Sequence, residues 1–172
     1  MSSAKKIVLP GVFTALLIGG QYVLSGISGI EIVTVLFLTF TYMCGIVQGL
    51  LVANAFSLLR CFIFGFTPSV IVLYLVYYNI FALVFGTIGK LFNREYSIKK
   101  HVIIILIAVI MTVLFTMLDN VITPLMYGFT AKATKAYFLA SLYTVIPQLI
   151  CTFVTVLIIF PGLLKAFKIV RI

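Results

Sequence analysis

The chain has 172 residues, of which 64% are hydrophobic and 9% charged, and its mean hydropathy is +1.33. Too few polar side chains remain to coat a water-soluble globule, so that class is excluded and an integral membrane protein is expected. A net charge of +9 would point to nucleic acid in a soluble protein, but here the basic residues flank apolar runs and set membrane topology, so no nucleic-acid partner is expected.

Each crossing of a ~30 Å hydrocarbon core takes about 20 mostly apolar residues. The runs suggest six spans, at about 7–26, 31–48, 50–66, 69–91, 101–122 and 136–164, in an all-α bundle forming a single membrane domain over 1–172. The first run follows Lys5 and Lys6 and has the order of a secretory signal. It is read as an uncleaved span, because it has membrane length and more runs of the same kind follow. Within it Gly11, Ala15 and Gly19 stand four apart and share one helical face. Such a face lets backbones approach closely, either a protein partner or a neighbouring helix of the same bundle.

The break "GIVQGL" between the second and third runs is short and uncharged, which predicts a tight hairpin or one short helix. Arg60 lies inside "FSLLRCFIF" near the end of the third run, and an ionisable group there carries functional weight. It can contact phosphate, carboxylate or amide oxygens of a ligand, pair with Asp119, or snorkel to the surface. In the fourth run Tyr74, Tyr77, Tyr78 and Phe81 follow i, i+3, i+4, i+7 spacing. With Asn79 they form a lining able to stack on a flat ring and bond its rim, or an ordinary packing face.

Asp119 and Asn120 close the fifth run, Tyr143 and Gln148 lie on the sixth, and Gln21 and Tyr22 on the first. All six residues are expected in the outer half, with Tyr22 and Tyr127 also readable as interfacial anchors. His101 reads as a solvated flank among lysines. Cys44, Cys61 and Cys151 are isolated and read as small buried hydrophobes without a metal role. The sixth run is long enough to tilt or to kink at Pro147.

With six spans, Lys5, Lys6, Lys90, Arg94, Lys99, Lys100, Lys165, Lys168 and Arg171 fall on one side, and Arg60, Lys132 and Lys135 on the other. The positive-inside bias then puts both termini in the cytoplasm. The stretches 25–31, 60–68 and 119–136 become outward loops and helix ends, where a small ligand could be captured. No GxxxxGK[ST], HExxH or GxSxG motif is present, so neither self-powered transport by ATP nor an intramembrane hydrolase is expected. Glu31, Glu95 and Asp119 lie outside the mid-membrane zone where an ion-coupled carrier places its carboxylates. A membrane binding subunit energised by another protein remains.

These features together, six spans, cytoplasmic termini, the first-helix stripe and the stretch 52–86, resemble the substrate-binding S component of an energy-coupling factor (ECF) vitamin transporter. The resemblance implies a vitamin held in an outward pocket closed by loops after the first, third and fifth helices. It also implies docking of the first-helix face, Gly11, Ala15 and Gly19, on a transmembrane coupling subunit (T component) driven by two cytoplasmic ATPase subunits, in a bacterial cytoplasmic membrane. The family motif on that helix usually reads Ala-x-x-x-Ala, from which Gly19 departs. The stretch 52–86 leans towards the cobalamin subgroup, with pyridoxine-like vitamins, riboflavin or another aromatic precursor as further candidates. The residues expected to line the pocket are Arg60, Tyr74, Tyr77, Tyr78, Asn79, Asp119, Asn120 and Tyr143; no cofactor and no catalytic residue is expected. The competing readings are a structural or assembly membrane protein and a self-sufficient facilitator.

Overall fold

A computed structural model describes residues 3–27 and 29–169. Arg171, counted above with the inner basic residues, and Ser28 of the first outward loop lie outside the described residues, as do the side chains of Lys5 and Lys6. The described chain is helical throughout: α1 (Ser3–Leu24), α2 (Val33–Cys44), α3 (Ile46–Leu59), α4 (Cys61–Phe64), α5 (Pro68–Leu91), α6 (Ile98–Tyr127) and α7 (Ala131–Ile169). Lipid offers the backbone no hydrogen bonds, so each apolar run must satisfy its own amides within a helix. The few hydroxyls in these helices follow the same logic. Thr14, Thr39, Thr41, Ser57 and Thr112 each donate to the carbonyl one turn earlier, a local bond available without any partner helix.

Among the described residues, five helical segments are long and apolar enough to cross a membrane, counting α3 and α4 as one. Large apolar side chains stand exposed along them, Phe62 at 82% among them, as a lipid-facing surface requires. The chain is an all-α, multi-pass membrane protein. α2 is different. Its 12 residues span about 18 Å at 1.5 Å per residue, too short to cross alone. Every residue from Val33 to Met43 is buried, so α2 is a core helix, apolar all round because protein surrounds it. Where a second span is expected, the structure has this short buried rod, which still carries the chain from the Glu31 loop to the opposite end of the bundle, where the Tyr42 hydroxyl donates to the Glu95 carbonyl.

α5 is the central element and packs on α2, α3 and α6, while α7 lies against α6 and α2, and α1 against α3 and α2. Phe37, Phe56, Phe81 and Phe85 fill the interior between them without exposure. Phe37 and Phe81 ring centroids are 5.4 Å apart, and those of Phe81 and Phe85 4.4 Å. The chain reverses between α2 and α3 at Gly45, the first residue of the break "GIVQGL", in a tight turn beside a short helix. Gly45 has φ of 88°, a left-handed conformation that glycine adopts without Cβ strain. Beyond the turn, α5 passes so close that a methyl on Gly86 would sit 2.9 Å from the Ile46 backbone, and one on Gly89 would land on the Tyr42 carbonyl oxygen.

Two further expectations, the loop at 119–136 and the solvated His101, are corrected. The stretch 119–136 is mostly helix: α6 runs to Tyr127 and α7 starts at Ala131, leaving 128–130 as the link. Pro124 lies inside the last turn of α6, where its missing N–H removes only one bond, and Gly128 at φ 62° ends the helix. Asp119 and Asn120 accordingly lie two turns inside α6. α7 runs unbroken for 39 residues through Pro147 and Pro161, about 58 Å at helical rise and longer than the hydrocarbon is thick. His101 is buried at 6% exposure, not solvated. Its ring lies 5.6 Å from that of Phe160, and Nε2 lies 3.0 Å from the Val156 carbonyl, which ties α6 to α7.

Candidate functional site

One end of the bundle holds a cavity of about 320 Å³. The loop between α1 and α2, the α3–α4 junction, the first turns of α5, and the facing sides of α6 and α7 enclose it. That is the end at which the sequence places its outward loops.

Arg60 enters from the α3–α4 junction, where the helix is interrupted but Arg60 keeps helical dihedrals. Its side chain is only 9% exposed. The guanidinium carbon lies 4.1 Å from the Tyr74 ring centroid and 4.9 Å from that of Phe64, within the range of cation–π attraction. Its Nε–H donates to Gln21 Oε1 at 3.2 Å, and Gln21 Nε2 donates to the Tyr74 hydroxyl at 2.9 Å. A relay therefore joins α1, the α3–α4 junction and α5, and it leaves the Tyr74 hydroxyl proton and the terminal guanidinium nitrogens free of that chain. Arg60 does not pair with Asp119. Among the described residues the one salt bridge joins Lys100 and Glu95, at 3.5 Å.

Tyr77 and Tyr78 line the same cavity. Their rings pack with Tyr74, Phe81 and Phe115, Tyr77 and Phe115 edge to face at 4.9 Å, so the aromatic stripe read on the fourth run is both an interior packing face and a cavity wall.

Glu31 closes the other side. It precedes the start of α2, and its carboxylate accepts the Thr34 backbone N–H at 3.1 Å and the Thr34 hydroxyl. That meets part of the demand of a helix N-terminus for a negative acceptor. The loop carrying Glu31 is seated on α7. The Glu31 N–H donates to Cys151 Sγ at 3.3 Å, the Cys151 thiol donates to the Glu31 carbonyl at 3.2 Å, and Gly29, at φ 79°, rests against Pro147. Gln148 lies one residue along and faces the cavity.

Four of the eight residues expected to bind substrate thus meet: Arg60, Tyr74, Tyr77 and Tyr78. The other four lie elsewhere. Asn79 exchanges side-chain amide bonds with Asn54 across α3 and α5, at 3.1 and 3.2 Å. Asp119 accepts from Thr123 and Tyr137, and Asn120 donates to Ser141, which pins α6 to α7. Tyr143 is 85% exposed. Gln21 and Gln148, singled out only as outer-half polar residues, do reach the cavity. Phe115, Thr112 and Phe64 also line it; in the sequence they are ordinary members of apolar runs. Gly11, Ala15 and Gly19 are exposed on the outside of α1, whereas Phe13, Thr14 and Leu17 turn inward, so the stripe does not pack within the bundle.

No protein-family model, no curated protein and no solved structure matches the chain. Its class rests on the fold and cavity alone: a small, all-helical, multi-span membrane protein compatible with a transport subunit.

Proposed function

We propose that the chain is the solute-binding S component of an ECF-type importer, which captures a vitamin-like ring compound in the cavity and depends on partner proteins for uptake. The observation that carries this reading is the convergence of a buried arginine, its glutamine relay and a tyrosine wall on one cavity at the looped end of the bundle. Concave, mostly apolar sites with a few placed polar groups are the usual form of small-molecule pockets. The exposed stripe of Gly11, Ala15 and Gly19 supports docking on a transmembrane coupling subunit, since close helix approach in lipid needs small residues. The absence of a phosphate loop in this sequence is consistent with energy supplied by two ATPase subunits. The bias of basic residues supports cytoplasmic termini and an outward cavity. At about 320 Å³ the cavity favours a one- or two-ring vitamin over the much bulkier cobalamin.

The test is calorimetry on the purified full chain in detergent against a panel of B-vitamins, cobalamin included. Saturable sub-micromolar binding, as roughly −8 kcal/mol or better corresponds to, is the expected result. No binding across the panel overturns the reading in favour of a structural or assembly role, and flux into liposomes without partners would favour a facilitator.

A further inference from the structure

Resting on the reading that the cavity is a solute site, we propose a substrate class for it: a small heteroaromatic, net neutral or zwitterionic, that gives an acceptor to Arg60 and a donor to Glu31 while its ring lies along the wall of Tyr74, Tyr77 and Phe115.

Charge comes first. Arg60 and Glu31 both line the cavity, and they do not form a salt bridge with each other. With Glu31 ionised the two charges cancel in sum but remain separate in space; burial raises the Glu31 carboxyl above its ordinary range, so its charged form depends on donors such as Thr34 and a ligand N–H. A ligand with net charge would leave one unit uncompensated in a partly enclosed site, where a charge is stabilised less than in open water. A ligand with a dipole completes both ends. The donor and acceptor inventory agrees. Arg60 commits its Nε–H to Gln21, and a guanidinium has four other N–H donors in a planar fork, suited to a carbonyl, carboxylate or phenolate. Each Glu31 oxygen accepts one bond from Thr34, and a carboxylate has about four acceptor positions, so N–H or O–H groups can still be received there.

Shape limits the body between those ends. The cavity volume of about 320 Å³ lies at the low end of the roughly 300–1,000 Å³ range of ligand pockets, and three aromatic rings form one wall. A single heteroaromatic ring with short polar substituents fits; a macrocycle does not.

The experiment is calorimetric titration of the full chain with nicotinamide and pyridoxine as dipolar one-ring probes, nicotinate as an anion, thiamine as a cation, and cobalamin as a macrocycle. A dipolar probe is expected to bind most tightly to the unaltered chain. Arg60→Gln should weaken it roughly ten- to a hundredfold, the scale of hydrogen bonds to charged groups, and Glu31→Gln should shift preference from nicotinamide towards nicotinate because it leaves Arg60 unbalanced. Thermal midpoints of both variants report folding separately, and the probe ranking on the unaltered chain needs no variant. Preference for nicotinate, thiamine or cobalamin overturns the dipolar assignment and leaves the solute-binding reading standing. Silence of all five probes overturns the dipolar assignment, and silence extended across the whole B-vitamin panel overturns the solute-binding reading as well.

Discussion

On α1, Gly11, Ala15 and Gly19 are exposed, and a methyl built on Gly11 or Gly19 would meet no atom within 4 Å. On α5, Ala82, Gly86 and Gly89 follow nearly the same spacing and are buried, with the backbone of the α2–α3 turn pressed against the two glycines. Both stripes remove side-chain bulk so that another backbone can approach. What separates them is the opposing surface. α5 is central and faces the short core helix as it reverses at Gly45; α1 is peripheral and faces outward. Small-residue spacing therefore marks a place for close approach without saying whether the approaching backbone belongs to the same chain.

Substitution on α5 should break this comparison most sharply. Gly89→Val places a branched side chain where the Tyr42 carbonyl already sits, and backbone cannot yield as a side-chain tip can. Overpacking commonly costs about 1–3 kcal/mol and more where rigid atoms collide, so the variant should fail to accumulate as a folded, monodisperse species on size exclusion in detergent. Gly86→Ala is milder, since only one methyl is added, 2.7–2.9 Å from Ile46 atoms. It should remain folded with a stability loss of about 1–3 kcal/mol, read as a lower midpoint in thermal unfolding.

The same contrast explains what the sequence makes legible. Apolar runs and their breaks mark the rods, because in lipid a helix is nearly the only solution open to each run. They do not reveal that Val33–Cys44 is a buried rod, since a stretch surrounded by protein and one surrounded by lipid are equally apolar. Tyr74, Tyr77 and Tyr78 are legible as a face because helical periodicity is local. The partners of Asp119 and Asn120 are not, because Tyr137 and Ser141 come from the next helix and depend on how α6 and α7 pack. Glu31 looks like a helix end and becomes a cavity wall only because Gly29 and Cys151 seat its loop on α7. His101 stands among lysines in sequence yet points into the α6–α7 seam, an orientation set by helical phase.

A polar seam on α5 supplies the intermediate case. Asn79 meets Asn54 through two reciprocal amide bonds and also donates to the Leu75 carbonyl at 2.7 Å. Interhelical polar contacts in membranes average about 0.6 kcal/mol and reach about 1.7. Asn79→Ala should fall in that range, and the double variant with Asn54→Ala should cost less than the two single losses added together, because they share one interaction. Full additivity in thermal or denaturant unfolding would mean that the pair does not hold α3 to α5.

Gly19→Leu should have the smallest effect on the isolated chain. Its Cβ enters open space, glycine is a poor helix former, and an exposed substitution away from special features usually stays within about 0.5 kcal/mol. The unfolding midpoint and the affinity for a cavity ligand should therefore match those of the parent. The same leucine would stand in the path of any helix that docks on the stripe, so uptake reconstituted with coupling and ATPase partners should fall to background. Loss of stability in the isolated chain would place the stripe inside a self-association contact, whereas unchanged uptake would remove it from the docking surface. Gly89→Val offers no such separation, since its opposing backbone belongs to the chain itself and every readout must fail together.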